Sequence, residues 1–388
     1  MRRATGSGCR ISERGEGAHA RCVARRARGA KPTSRTSTKT CSAGRGEGGC
    51  ATEPNNRAET RPERADGPSA AERAPARIVA VGGGKGGVGK TFVSANLAAA
   101  LARSGMRVVA VDVDLEGANL HTCLGVPTPR ASLADFVAQR EDDLAKLIVP
   151  TSVPGLEIIA GTQANLAGAQ PSHLRRVQLV RALRKLDADY VIIDLGAGTH
   201  LSVLDYFLVG DDGLVVLRPE PTSIENAYTF LRAAFYRRLR LAMVGHGVRQ
   251  LVTEAMDQRN ERGIRTPIDL LREIEALDPV EGKRFVATMR EFRPRLIVNE
   301  VRTAEDVKLG FSVGSVCKKY FGFEPEYIGY VNHDEMARRS VAARRPVVDL
   351  REDADASIYL QRIARKLIAI RDRDTQTAAP TGRGRATE

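Results

Sequence analysis

Two lysines and a threonine stand out because glycines surround them at a fixed spacing, Gly84-Lys85-Gly86-Gly87-Val88-Gly89-Lys90-Thr91-Phe92. Gly84, Gly89, Lys90 and Thr91 satisfy G-x-x-x-x-G-K-[ST]. Glycines let successive backbone N–H groups converge on phosphate oxygens without a Cβ in the way. A lysine at that offset reaches the outer phosphates of a triphosphate, and the following hydroxyl ligates Mg²⁺. Gly82, Gly84 and Gly87 also fit the G-x-G-x-x-G of a dinucleotide site. Such a site has no use for Lys90-Thr91, so the stretch reads as a triphosphate cradle.

A cradle works only between the right elements. Residues 78–81 are four apolar residues, expected as a buried strand. Residues 92–103 have the amphipathic spacing of a helix and stop before Gly105; its N-terminus adds partial positive charge at the phosphates. Residues 107–114 form a second apolar strand, carrying Asp112 and Asp114 at its end. Tyr190-Val-Ile-Ile-Asp194 is a third, ending in a carboxylate suited to the Mg²⁺ shell. In an open α/β sheet the C-terminal ends of strands face the ligand crevice. Taken alone, Asp112 and Asp114 also fit a ribose-binding acid or a strand cap. Further strands at 155–160, 213–217, 294–302 and 327–331 alternate with helices at 171–186, 304–320 and 357–371. Another helix follows Pro221, with Thr222 or Ser223 as its cap. The alternation predicts an α/β fold with a mostly parallel, doubly wound sheet.

The second lysine makes the pattern specific. Lys85-Gly-Gly-Val-Gly-Lys-Thr91 resembles the deviant Walker A motif of the MinD/ParA family of dimeric ATPases, within the SIMIBI-type P-loop NTPases. The resemblance spans about residues 77–371. It implies ATP and Mg²⁺ as cofactors and an ATP-dependent homodimer. Lys85 then acts in trans on the partner's phosphates, much as an arginine finger does. Asp114 orients the attacking water near the metal, and Asp112 supports the strand end or the metal's outer shell. Asp194 anchors Mg²⁺ with Thr91, and Gly196 and Gly198 belong to a second switch near the γ-phosphate. Residues 115–120 resemble the first switch. Glu220-Pro-Thr-Ser-Ile224 matches the loop near the dimer interface, and Asn332-His-Asp-Glu335 the loop near the base. Asn299 is implied as the adenine reader; a buried amide there also fits a purely backbone-satisfying role. Asp194-Leu-Gly-Ala-Gly198 is similar to the FlhG/FleN flagellar-number regulators within this family.

That branch implies a slow, partner-stimulated ATPase. It would regulate the position or number of a structure such as the flagellum, with a flagellar or polar protein partner. Its place would be cytoplasmic, with peripheral contact at the inner membrane. A ParA-like partitioning ATPase, whose ATP dimer binds DNA non-specifically, is the alternative.

Charge is uneven along the 388 residues. Residues 1–77 hold 17 Lys+Arg against 8 Asp+Glu, so +9 of the net +13 lies there. Residues 1–76 have almost no large apolar side chains and are expected to be disordered. They fit a basic arm for nucleic acid or membrane, a solvated tail, or a segment upstream of the true start. The lack of stacking aromatics favours the latter two. The six cysteines include no C-x-x-C pair, which argues against a zinc or bridging iron–sulfur site. The charged helical stretch 237–293 reads as an insertion before the next strand. The apolar stripe of the last helix, Leu360, Ile363, Ala364, Leu367 and Ile370, fits sheet packing better than a membrane surface. Residues 372–388 are expected to be a disordered tail.

Overall fold

The computed structural model describes residues 75–114, 117–161, 173–256 and 262–378. The chain divides into two units, Met1–Ala65 and Asp66–Glu388. The first lies outside the described residues, so the expectation for the basic N-terminal segment does too.

Eight strands form one sheet. They are β1 (Arg77–Gly82), β2 (Val108–Asp112), β3 (Val149–Pro150), β4 (Leu156–Ile159), β5 (Tyr190–Asp194), β6 (Asp212–Leu217), β7 (Arg295–Val301) and β8 (Glu326–Asn332). Their order is β3-β4-β2-β5-β1-β6-β7-β8. Every pairing is parallel except β3 with β4 at one edge. The mostly parallel, doubly wound sheet expected from the alternation is what the chain forms.

Parallel strands carry helices on both faces, so both sides of each strand must be apolar. In β1, Ile78 and Ala80 enter one core while Val79 and Val81 enter the other. In β5, Val191 and Ile193 alternate with Tyr190 and Ile192 in the same way. One face is covered by α1 (Lys90–Arg103) and α13 (Asp355–Ala378). The other carries α4 (His173–Arg184), α5 (Leu201–Val209) and α6 (Pro221–Ala242). Short helices α2 (Leu120–Cys123) and α3 (Leu133–Val137) follow β2. After β7, α10 (Ala304–Phe321) returns to β8; α11 (Glu335–Ala342) and α12 (Val347–Leu350) precede α13.

Two boundaries differ from expectation. Residues 237–242 are the last turns of α6, because Leu239 continues its buried stripe. Among the described residues, α7 (His246–Met256), α8 (Pro267–Leu277) and α9 (Pro279–Glu291) stand between that helix and β7. They join the same core, where Phe235 meets Phe285 and Phe292. At the C-terminus, helix rather than disorder continues through residues 372–378. Asp374 pairs with Arg77 at 2.7 Å and ties the last turns of α13 to the start of β1. Leu360, Ile363, Ala364, Leu367 and Ile370 are buried, as sheet packing requires.

Candidate nucleotide site

The glycine loop connects β1 to α1 at the C-terminal ends of β1, β5 and β2. Gly89 caps α1 with φ 92°, and Gly87 has φ 79°. At Gly89 a Cβ would also sit 2.2 Å from the Asn299 side-chain nitrogen, and at Gly84 it would sit 2.0 Å from the Asn226 carbonyl oxygen of α6. The loop is thus clamped between β7 and α6. Its other side is open: a Cβ on Gly86 or Gly87 meets nothing within 4 Å. That open side is the one a phosphate cradle would turn to its ligand.

Lys90 is buried to 8 % exposure and donates to the Lys85 carbonyl at 3.2 Å. Burial lowers its pKa, against the charges of Asp194 and Asp114, which raise it. Asp194 is 2 % exposed. It accepts from the Ser94 hydroxyl at 2.8 Å and from the Thr91 hydroxyl. Asp112 is fully buried and accepts from the backbone N–H groups of Asp114 and Leu120, both at 3.0 Å. It therefore staples the ends of the loop after β2, where Leu115 and Glu116 lie outside the described residues. Burial pushes the Asp112 carboxyl up to about 7, with the Asp194 charge adding to it. Burial also carries Asp194 up to about 6, outweighing the Thr91 and Ser94 hydroxyls and the Lys90 charge.

Asp114 accepts from the Gly117 N–H at 3.0 Å and lies against Gly196, where a Cβ would come within 3.2 Å of its carboxylate. Gly198, with φ 95°, turns the chain away two residues later. Phe92, in the first turn of α1, packs against the core. The hydroxyl of Thr91 and the carboxylates of Asp114 and Asp194 form a hard-oxygen donor set that suits Mg²⁺ better than a softer metal.

Lys85 is exposed, and its ammonium donates to the Thr222 hydroxyl at 3.0 Å at the start of α6. In the single chain this lysine rests on its own subunit. Asn299, which the resemblance implies as the adenine reader, also fits the backbone-satisfying role. It is 4 % exposed, and its amide donates to the Val88 carbonyl at 2.9 Å. Its position inside β7, beneath the loop rather than beyond it, gives it a bracing contact. The next residue, Glu300, has φ 57° at an irregularity in the β7–β8 ladder and pairs with Arg218 at 2.7 Å. Beyond it, an open cleft of about 610 Å³ is lined by Arg302, Thr303, Tyr330, Asn332 and His333.

Two contributors, Ser94 and Asn226, escaped the motif reading, and Thr222 entered it only as part of the loop near the dimer interface. Ser94 lies three residues after Thr91, on the same helix face, and that spacing was the available signal. Thr222 reads from sequence as a helix cap, yet Glu220 occupies the cap position. Asn226 meets Gly84 chiefly through its backbone carbonyl, which leaves no side-chain signature.

A family profile described as an AAA domain matches residues 76–236. The antiactivator FleN of Pseudomonas aeruginosa is 29 % identical over 294 residues, covering 76 % of this chain and 86 % of FleN. The sporulation initiation inhibitor Soj of Bacillus subtilis is 32 % identical over 198 residues, covering 49 % of this chain and 76 % of Soj. The structure of septum site-determining protein MinD from Pyrococcus horikoshii, complexed with Mg-ADP, superposes with a TM-score of 0.54 at 20 % identity. That superposition covers 76 % of this chain and 97 % of the archaeal one and concerns the fold.

Proposed function

The chain belongs to the MinD/ParA family of P-loop ATPases, and on that premise we propose an ATP-driven dimeric switch that governs the placement or number of a cellular structure such as the flagellum. The observation that carries this reading is a division of the two loop lysines. Lys90 is buried among Asp194 and Asp114, whereas Lys85 stands exposed above the loop. One is placed to hold its own nucleotide. The other is free to leave Thr222 and meet a nucleotide across a dimer face.

The roles follow from position. Backbone N–H groups from Gly84 to Thr91 line the open wall and receive the phosphates. Thr91 and Asp194 hold Mg²⁺, with Ser94 keeping the Asp194 carboxylate oriented. The metal, when bound, neutralises the charge that develops on the phosphate oxygens. Asp114, set against Gly196, positions the attacking water. The cleft between Arg302 and His333 receives the base, and Asn299 keeps the loop in shape beneath it. Hydrolysis changes partner or surface binding rather than supplying a product.

The flagellar reading draws on the likeness to FleN and on Asp194-Leu-Gly-Ala-Gly198. Slow turnover quickened by a protein partner, and peripheral membrane contact, belong to the same proposal. No helix among the described residues is long and apolar enough to cross a membrane. The apolar stripe of α13 is packed on the sheet, so membrane contact would need another surface.

The test is the molar mass in solution of the Asp114→Ala chain with and without ATP·Mg²⁺. A doubling of mass on ATP, abolished by Lys85→Ala, supports the switch. A mass unchanged by ATP, with nucleotide bound, refutes the trans lysine.

A further inference from the structure

At the end of the molecule opposite the phosphate loop, α4, α5 and α6 leave an open groove of about 320 Å³. Its walls are Val177 and Val180 of α4, Leu208 and Val209 of α5, and Leu241 of α6. α5 and α6 reach it with their C-terminal halves and α4 with its middle turns; helices of a parallel α/β sheet return to the N-terminal ends of the strands. Arg184 marks the level: it donates to the Val209 carbonyl at 3.1 Å and pairs with Asp211, which precedes β6.

The apolar surface does not stop at the groove. Leu241 is 52 % exposed, and Val244, three residues on, is 65 % exposed. Val280 is 64 % exposed beside Glu281, which accepts from the Val244 N–H at 3.1 Å. Contiguous exposed apolar surface of this kind marks a protein contact more often than a bare solvent face.

Charge decides the occupant. Arg176 and Arg181 line the groove, and Arg240 precedes Leu241. The acids are already neutralised: Asp205 is held by Arg176 and Arg237, and Asp211 by Arg184. Among the described residues, Arg181 and Arg240 are exposed with no carboxylate partner. Of the charges that line the groove, Arg176 and Asp205 pair and Arg181 is left over, so the lining is net basic around an apolar floor, with Arg240 one residue from Leu241 on α6. A second copy of this chain, net +13, or its own N-terminal segment, with +9 over residues 1–77, carries the wrong sign.

We propose that this groove docks an acidic amphipathic helix of a protein partner. Apolar residues at helical spacing enter between α4 and α5, and carboxylates pair with Arg181 and Arg240. Because the groove lies away from the face that carries Lys85, docking is independent of nucleotide. Its success or failure is thus separable from that of the dimer switch.

The probe is a dye-labelled synthetic helix of about 18 residues, leucines at i, i+3, i+4 and i+7 and glutamates on the other face, titrated against the full chain by fluorescence anisotropy. The control replaces each glutamate by lysine. Saturable micromolar binding of the acidic helix alone is expected, about tenfold weaker with Leu241→Glu and at raised salt. The double variant Arg181→Glu, Arg240→Glu should reverse the preference. Added ATP·Mg²⁺ should leave the affinity within about twofold. Nucleotide affinity, unchanged in these variants, reports that they are folded. The proposal is overturned by absent or equal binding of the two peptides, by indifference to Leu241→Glu, or by loss of binding on ATP. An ATP-independent mass doubling abolished by Leu241→Glu would give the groove to a second copy instead.

Discussion

The side-chain amide of Asn299 donates to the backbone carbonyl of Val88 at 2.9 Å, joining β7 to the phosphate loop. Asn299→Ala should leave that carbonyl without its partner, at about 1–3 kcal/mol. Titration with a fluorescent ADP should then show affinity reduced by about tenfold or more, with the melting temperature lowered only slightly. Unchanged affinity would return Asn299 to a passive core position.

Gly89 meets two demands at once, a φ of 92° and a neighbour 2.2 Å from any Cβ. Gly89→Ala should cost about 1–3 kcal/mol in strain and push Asn299 off Val88. Circular dichroism should keep its helical signal while nucleotide binding is lost. Gly86→Ala, at the open wall, should leave stability unaltered and impair binding alone, because its Cβ meets no protein atom.

The buried carboxyls give a pH dependence whose sign can be worked out. Asp112 and Asp194 both have raised pKa values, to about 7 and about 6, mainly through burial. The free folded protein therefore holds protons that the unfolded chain releases. This contribution to stability is full below about pH 4 and fades as pH rises through 6 to 7. Mg²⁺·nucleotide needs the ionised Asp194, so its binding should weaken below pH 6 and release protons near that pH. Calorimetry in buffers of different ionisation enthalpy measures the release. Ser94→Ala removes a donor to the charged form and should move the binding midpoint to higher pH.

Asp212 is fully buried between two arginines, accepting from Arg77 at 2.6 and 2.9 Å and pairing with Arg295. Asp212→Ala should destabilise the fold by about 3–5 kcal/mol, since it removes the buried acid between two largely buried cations and leaves each only an exposed partner, Asp374 or Glu326. Asp374→Ala, removing the exposed partner of Arg77, should cost no more than about 1 kcal/mol. Chemical denaturation compares the two. Equal losses would mean that the network's burial is not what matters.

Much of this protein was legible along the chain. β5 falls at residues 190–194 and α10 begins at Ala304, as the apolar runs and the capping residues around them dictate. The phosphate loop was legible because backbone approach to phosphates demands glycines at set positions, and Lys90-Thr91 must follow them directly. Such constraints are local, so they are written locally. α6 shows where that reading thins: its charged last turns look like a separate segment, yet Leu239 keeps them on the same helix.

Contacts between distant segments were not written that way. Asn299 and Val88 are 211 positions apart, and no periodicity in either segment reveals that the amide donates to the loop. The packing of Asn226 against Gly84 is led by its backbone carbonyl. The resting place of Lys85 on Thr222 depends on where α6 begins in space. Spacing along one strand or helix is set by its own geometry, and the sequence by itself determined the candidate nucleotide loop and the alternating sheet. Which groups meet across elements is decided by how both faces of that sheet are packed, and only the tertiary structure settled those pairings.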